Sequence, residues 1–182
     1  MSATNRISDG RLPGPGGFTL IEILIVMGLM GVFVALILPD FNRVIPEMKV
    51  DKVASKMAND IRMSRTEAVS EMSYVWFLMS SSANAYTTQV STRDATYPWD
   101  FDGEPVEDPL KSGAPLYVDL DEVDAFRGVR ISGYNYSYVV FDALGSQIWP
   151  GEDVTITLQS IQTGYSRKLR VKYPLGRVEV LP

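Results

Sequence analysis

The longest unbroken apolar stretch of the sequence runs from Phe18 to Leu38, and its 21 residues carry a single charged side chain, that of Glu22. At about 1.5 Å per residue, a helix of this length can cross the ~30 Å hydrocarbon core of a bilayer. A cleaved secretory signal has a shorter apolar core, and no A-x-A pattern follows the stretch. We therefore predict a membrane-spanning helix at 18–38. Arg6 and Arg11 favour a cytoplasmic N-terminus.

In the next segment, residues 39–72, apolar positions recur at intervals of three and four. This spacing predicts an amphipathic helix that continues the first, giving about 50 helical residues with one apolar face in the second half. Pro39 and Pro46 are expected to bend or locally break it, because each lacks a backbone donor. Lys56 and Asp60, one turn apart, can pair. The apolar positions are Phe41, Val44, Ile45, Met48, Val50, Val53, Ala54, Met57, Ala58, Ile61, Ala68 and Met72.

Residues 73–182 alternate between short β-prone runs and turn signals. Several runs alternate apolar with polar positions, as antiparallel strands with one buried face do. The predicted fold class is therefore α+β, with the second half of the helix packed on an antiparallel sheet. The runs are "YVWFLM", "AYTTQV", "GVRIS", "YSYVVFD", "VTITLQS", "RKLRVKY" and "GRVEV".

Between residues 91 and 122 this pattern stops, and the segment is rich in Pro and acidic residues. We predict a long surface loop or a partly disordered insertion. "DFDGEPVED" and "DLDEVD" supply the oxygen ligands that Ca²⁺ takes, but their spacing is not that of the twelve-residue EF-hand loop. A solvated acidic loop is the favoured interpretation, and we predict no metal site.

Composition narrows the function classes. The chain has no Cys and no His, which excludes disulfides, thiolate metal sites and a Ser–His nucleophile pair. We therefore predict that the protein is not an enzyme and binds no cofactor. The net charge of −5 argues against nucleic acid as a partner.

Two stretches offer an alternative to that conclusion. Tyr134, Tyr136 and Tyr138 occupy alternate positions, where they could stack on single-stranded nucleic acid or simply pack on one face of a strand. "YSRKLRVKY" holds four basic residues, which could contact phosphates or form a solvated strand face. We favour the packing and the solvated face.

The carboxylate of Glu22 has two structural explanations. Thr19 to Glu22 fits the S/T-x-x-E capping box, and an anion in the first turn suits the helix dipole. Neither explains a carboxylate in a membrane segment, where an ionisable group costs about 2–3 kcal/mol and usually has a partner. A free amine on Phe18 would be such a partner if the chain were cut after Gly17.

"GFTLIEILIVMGLMGVFVALILP" closely resembles the N-terminus of type IV prepilins and type II secretion pseudopilins. The resemblance implies a leader peptide at 1–17, a cut between Gly17 and Phe18 by prepilin peptidase, and N-methylation of Phe18. Glu22 stands at the family's filament-docking position, where we expect it to pair with the Phe18 amine of a neighbouring subunit. The remaining matches to the family pattern are Gly31 and Pro39.

Later segments resemble the GspH/FimT type of this family. "IRMSRTEA" is similar to the family's stretch at the end of the helix, and we expect Arg65 and Glu67 to tie the helix end to the sheet. "VVFDALGSQ" resembles the family's F-x-x-x-G strand and turn, at Phe141 and Gly145. "RKLRVKYPLGRVEV" resembles its closing hairpin. The implied fold is type IV pilin-like, with a long hydrophobic N-terminal helix.

The resemblance implies a minor pseudopilin, a structural subunit at or near the tip of the periplasmic pseudopilus of a type II secretion system. Expected partners are other pseudopilins or pilins, prepilin peptidase, the inner membrane and exported proteins. The globular domain at 73–182 would lie in the periplasm. The alternatives are a minor pilin of a type IV pilus and, less favoured, a DNA-binding pilin. The chain end "GRVEVLP" lacks the basic patch expected of the latter.

Overall fold

The computed structural model describes residues 17–91, 103–109 and 111–182, except for the side chains of 36–41. The described residues form one helix, α1 (Leu20–Ser70), followed by short β-strands. The chain divides into two units, Met1–Phe41 and Asn42–Pro182, which we call the N-terminal and C-terminal units. Among the described residues, no helix is long and apolar enough to cross a membrane.

Local hydrogen bonds cap both ends of α1. At the start, the amide of Glu22 donates to the Thr19 carbonyl at 3.1 Å and to the Thr19 hydroxyl at 3.3 Å. At the end, the amide of Ser73 donates to the Ala68 carbonyl at 3.2 Å, which is the long bond of a Schellman cap. Met72 supplies the left-handed residue of that cap, with φ of 49°.

The helix continues without interruption through both prolines. Pro46 is buried. Of the bend or local break expected there, the break is not formed. The side chain of Pro39 lies outside the description.

The strands of the C-terminal unit form two antiparallel sheets, where the sequence suggested one. Sheet A contains β1 (Val75–Ser80), β2 (Ala85–Val90), β3 (Glu104–Pro105), β4 (Tyr117–Asp119), β6 (Tyr138–Phe141) and β7 (Gln147–Trp149). Its order is β3-β2-β1-β6-β7, and β4 also pairs with β2. Sheet B contains β5 (Val129–Tyr134), β8 (Val154–Ser160), β9 (Ser166–Lys172) and β10 (Arg177–Leu181), in the order β10-β9-β8-β5.

One face of α1 forms the centre of the core. A single apolar cluster joins this face to side chains of sheet A, such as Phe77, and of sheet B, such as Leu158. Full burial of each Leu, Ile or Met side chain contributes roughly 1.5–3 kcal/mol before entropy is subtracted. The helical members of the cluster are Val50, Val53, Ala54, Met57, Ala58, Ile61 and Ala68.

The buried part of the apolar helix face is shorter at both ends than the sequence predicts. Val44, Ile45 and Met48 are 45–51% exposed, and Met72 is 82% exposed. The stripe is buried only where the sheets cover the helix.

The acidic segment 91–122 is more ordered than predicted within its described part. It contributes β3 and β4, which pair with β2, and a bridge between Glu107 and Pro115. Four of its apolar residues are buried, namely Val106, Leu116, Val118 and Leu120. Residues 92–102 lie outside the description. Sequence periodicity missed these strands because they are only two and three residues long.

Two tight turns place glycines where another residue would not fit. Gly176, in the β9–β10 turn, has φ of 61°, and a Cβ there would lie 2.7 Å from the Phe141 ring. Gly145, in the β6–β7 turn, has φ of 75°, and a Cβ would lie 3.1 Å from Val69 Cγ2.

Asn84, at the end of the β1–β2 turn, joins the two sheets. Its amide nitrogen donates to the Val129 carbonyl at 2.9 Å and to Asp121 Oδ1 at 3.0 Å. Its side-chain oxygen accepts the Ile131 amide at 2.9 Å. The residue is 7% exposed, with φ of 49°. The side chain therefore pairs with the backbone of β5 at Val129 and Ile131.

We expect Asn84→Ala to lower the free energy of unfolding by about 2–4 kcal/mol, because it leaves the buried Val129 carbonyl and Ile131 amide unpaired. Asn135→Ala is the matched control. Asn135 also bonds one carbonyl and one amide of the backbone, those of Asp153 and Thr155, but at an exposed site. In urea denaturation followed by Trp fluorescence, the control should lose less than half as much free energy of unfolding as Asn84→Ala. Equal losses would contradict the role assigned to burial.

Candidate assembly surface

The described part of the N-terminal unit has no apolar core of its own. Every large apolar side chain from Phe18 to Val34 is exposed, from 47% for Val26 to 80% for Phe18. A helix that is apolar on all sides needs lipid or other helices around it. These side chains are Phe18, Leu20, Ile21, Ile23, Leu24, Ile25, Val26, Met27, Leu29, Met30, Val32, Phe33 and Val34.

Glu22 is the one charged group on this surface among the described residues. It lines a shallow pocket of about 240 Å³ whose other walls are apolar: Phe18, Ile23, Val26 and Met27. The helix start is already capped by the Thr19 hydroxyl. The reciprocal bond of a capping box, from the Thr19 amide to the Glu22 carboxylate, is not among the hydrogen bonds of the described residues. The carboxylate is therefore available to an outside partner.

Among the described residues, the glycines on this surface have no close packing neighbour. A Cβ added to Gly17, Gly28 or Gly31 would meet nothing within 4 Å. Small residues on an exposed helix let a second helix approach closely. Gly17 lies just before the helix, in exposed non-helical backbone next to Phe18.

Arg65 and Glu67 occupy different environments near the end of α1. Arg65 Nε donates to the Gly145 carbonyl at 2.7 Å, which joins the helix to the β6–β7 turn. Glu67 bonds through its backbone carbonyl, which accepts the Glu71 amide and the Ser70 hydroxyl. Its carboxylate makes no bond to the described residues.

A buried polar cluster, not foreseen as a whole from the sequence, fixes the helix against sheet A. Lys56 Nζ contacts Asp60 Oδ2 at 2.6 Å, as the sequence spacing allowed. Tyr86, on β2, donates its hydroxyl to the same oxygen at 2.6 Å. Burial, and then the Asp60 carboxylate, raise the pKa of Tyr86 well above its ordinary value. Ser64 and Thr88 form a second polar contact between helix and sheet, at 3.0 Å.

The tyrosines considered as a stacking face do not form one. Tyr134 and Tyr136 pack against the core. Tyr138 lies 5.8 Å from the Trp76 ring and accepts the Trp149 indole N–H at 2.5 Å.

The basic residues of β9 also occupy different environments. Arg167 Nε pairs with Asp51 of α1 at 2.7 Å. Lys168 and Arg170 lie on positions of opposite parity to the buried Leu169 and Val171, and so face outward. Arg167 therefore belongs to a contact between helix and sheet. In the described part of the acidic segment, no group of three or more side chains is placed to hold a metal ion.

No family model matches the sequence, and no curated protein matches it. Among solved structures, the minor pseudopilin EpsH of the type 2 secretion system of Vibrio cholerae aligns with a TM-score of 0.54 and 9% identity, over 73% of this chain and 96% of that chain. The type IV minor pilin FimU of Pseudomonas aeruginosa aligns with a TM-score of 0.48 and 18% identity, over 73% of this chain and 88% of that chain. The likeness to EpsH shows that the chain has a type IV pilin-like fold. This confirms the α+β class and the pilin-like architecture, while the long hydrophobic N-terminal helix stays a prediction.

We expect Arg65→Ala to lower the free energy of unfolding by about 1 kcal/mol, because it removes the hydrogen bond to the Gly145 carbonyl. Glu67→Ala should leave it unchanged or slightly raise it, since a carboxylate near a helix C-terminus opposes the helix dipole. Thermal denaturation of both variants tests the difference. A larger loss for Glu67→Ala would mean that its carboxylate has a structural partner.

Proposed function

We propose that the protein is a minor pseudopilin, a structural subunit at or near the tip of the periplasmic pseudopilus of a type II secretion system. The observation that carries this proposal is the apolar helix surface with one available carboxylate in its first turn. The pilin-like fold of the C-terminal unit supports it.

The same surface suggests two successive environments. Before assembly, residues 18–38 anchor the protein in the inner membrane, with the globular domain in the periplasm. This segment extends past Ala35, the last side chain described before the gap. After assembly, helices of neighbouring pseudopilins replace the lipid around the same side chains. Gly28 and Gly31 allow those helices to approach closely.

Glu22 provides the position-specific element of an otherwise uniform surface. In the processed chain, the Phe18 amine lies four residues away, about 6 Å along the helix. A neighbour's amine at ~4 Å would gain on the order of 4 kcal/mol at an effective dielectric of 20, before desolvation reduces it. Such a pair can set the register between two apolar helices.

The protein is proposed to be non-enzymatic. It acts by occupying a defined place in the filament, and exported proteins are further partners of its globular domain. A minor pilin of a type IV pilus would use the same architecture. Adjacent genes for a secretion ATPase, a secretin and other pseudopilins would identify the secretion machine.

The first test concerns processing. Mass spectrometry of the membrane-associated protein should show N-methylated Phe18 at the N-terminus. Replacing Gly17 by Val should block the cut by placing a bulky side chain at the cleaved bond, whereas Gly16→Ala leaves that bond intact and serves as the control. An assembled, active complex that retains residues 1–17 would contradict the proposal.

The second test separates docking from capping. Glu22→Gln removes the charge, and Thr19→Val removes the capping hydroxyl but keeps the charge. We expect Glu22→Gln to leave cleavage and membrane insertion intact, yet to impair filament incorporation nearly as much as Glu22→Ala. Thr19→Val should incorporate almost normally. Incorporation, measured by crosslinking to neighbours and by secretion, would show the reverse order if capping were the role of this turn.

A further inference from the structure

Backbone groups at the outer edges of sheet A are largely used within the chain. Sheet A ends in β7 on one side and in β3 and β4 on the other. The Gln147 amide of β7 donates to the Pro174 carbonyl at 2.8 Å. Pro105 of β3 has no amide N–H, and the Asp119 carbonyl of β4 accepts the Val123 amide at 3.3 Å. These strands therefore offer little to a further strand.

Sheet B ends in β5 on one side and in β10 on the other, and the two edges differ. The outer side of β5 bonds the Asn84 side chain. On β10, a guanidinium N–H of Arg62 donates to the Val178 carbonyl at 3.2 Å, so this carbonyl points away from β9. Because successive residues of an antiparallel strand alternate in direction, the amide and carbonyl of Val180 also point away from β9.

The outer side of β10 is therefore open at Val180. In the described part of the chain, no strand lies beyond β10. The backbone groups of Val180 have no partner there among the described residues. An edge with unpaired donors and acceptors is a template for an extended segment of another chain.

The side chain at this position is apolar and only partly covered. Val180 lies on the core face of β10, opposite the fully buried Leu169, yet it is 45% exposed. A residue directly opposite Val180 on an added antiparallel strand would exchange both backbone bonds with it and have its side chain on the same face. The strand would lie about 4.8 Å away, close enough for that side chain to cover Val180. The edge therefore favours an apolar residue there.

The outer face beside this edge is basic. Lys168 and Arg170 face outward from β9, and neither forms an ion pair with the described residues. Glu179, the one carboxylate of β10, already pairs with Lys172 at 3.1 Å. The backbone of an added strand would lie about 10 Å from that of β9, a distance that a Lys or Arg side chain and a carboxylate can span together. Acidic residues on the outer face of the added strand are therefore favoured.

The same charges select a different protein over a second copy. Pairing of two β10 edges would bring Arg62, Lys168 and Arg170 of one copy close to the same cations of the other. Like charges on neighbouring strands are destabilising.

We propose that β10 is a docking site for another protein, which contributes an extended acidic segment as a fifth strand of sheet B. An apolar residue of this segment packs against Val180, and its alternating carboxylates face Lys168 and Arg170. Arg62 limits the length of the contact because it already occupies the Val178 carbonyl. With few backbone bonds, the contact is weak and reversible. The site lies wholly in the C-terminal unit, so this inference goes beyond the filament role and does not rest on it.

The test measures amide hydrogen exchange of the full chain in detergent micelles, resolved at Val180 by NMR. The probe is a short peptide of alternating Glu and Val with blocked ends, and we expect it to slow exchange of the Val180 amide severalfold. One control peptide has Lys in place of Glu. The other carries a methyl group on each Val nitrogen, which removes the donors that would face β10. Equal slowing by the three peptides, or none by the first, would overturn the proposal.

Variants at Val180 separate the backbone contact from the side chain. Val180→Pro removes the outward donor without removing a bond to β9, whereas Val180→Ala keeps the donor. We expect Val180→Pro to lose binding of the labelled Glu–Val peptide in fluorescence anisotropy, and Val180→Ala to keep most of it. Thermal denaturation followed by Trp fluorescence checks that both variants fold. Unchanged binding by a folded Val180→Pro would contradict strand addition.

A charge reversal tests the acidic preference without altering the edge. Lys168→Glu combined with Arg170→Glu changes only outward-facing side chains, so the fold should persist. This variant should prefer the Lys–Val peptide to the Glu–Val peptide. An unchanged preference would overturn the proposal. So would slower Val180 exchange with rising protein concentration in the absence of peptide, because a second copy would then be the occupant.

Discussion

The structure of the C-terminal unit depends on burying one face of α1. Between Val50 and Ala68 this face contacts apolar side chains of both sheets, so a single helix supplies the surface on which two separate sheets assemble. Neither sheet is large, and several strands are only two or three residues long. Their stability depends on the shared helix and on the few polar ties between the sheets.

Those polar ties fix the orientation that apolar packing alone would leave variable. Asp60 brings Lys56 and Tyr86 together across the interface between the helix and sheet A. Asp51 performs the corresponding function for sheet B through Arg167. Asn84 then links the sheets directly. The helix is thus held on two sides by carboxylates about two and a half turns apart.

Much of this architecture was predictable from the sequence because its patterns are long. The alternation in Val154–Ser160 indicated a half-buried strand, and its burial follows that alternation throughout. The three-and-four spacing from Val50 to Ala68 identified the buried face of α1. The division into two sheets was not predictable, since strand periodicity does not specify which strands are neighbours. Nor was the ordered part of the acidic segment, because Val106 and Leu116 are isolated among Pro and acidic residues.

The candidate surface was predicted mainly through resemblance. Composition and spacing indicated an apolar helix with one misplaced charge, but only the prepilin-like motif suggested a role for Gly17, Phe18 and Glu22. Only the structure shows that the Thr19 hydroxyl caps the first turn of the helix, so that the Glu22 carboxylate is not needed for capping. The face of α1 between Val50 and Ala68 is buried within the C-terminal unit, whereas the described apolar side chains from Phe18 to Val34 are exposed.

The glycines of the two units therefore have different steric surroundings. At Gly176 a side chain would strike the Phe141 ring inside the same molecule, whereas at Gly31 it would meet open space. Among divergent relatives, Gly176 should persist wherever this fold persists. Gly31 should persist only while a neighbouring helix lies against it. A relative that kept the first glycine and lost the second would retain the fold of the C-terminal unit, but its N-terminal helix would have different neighbours.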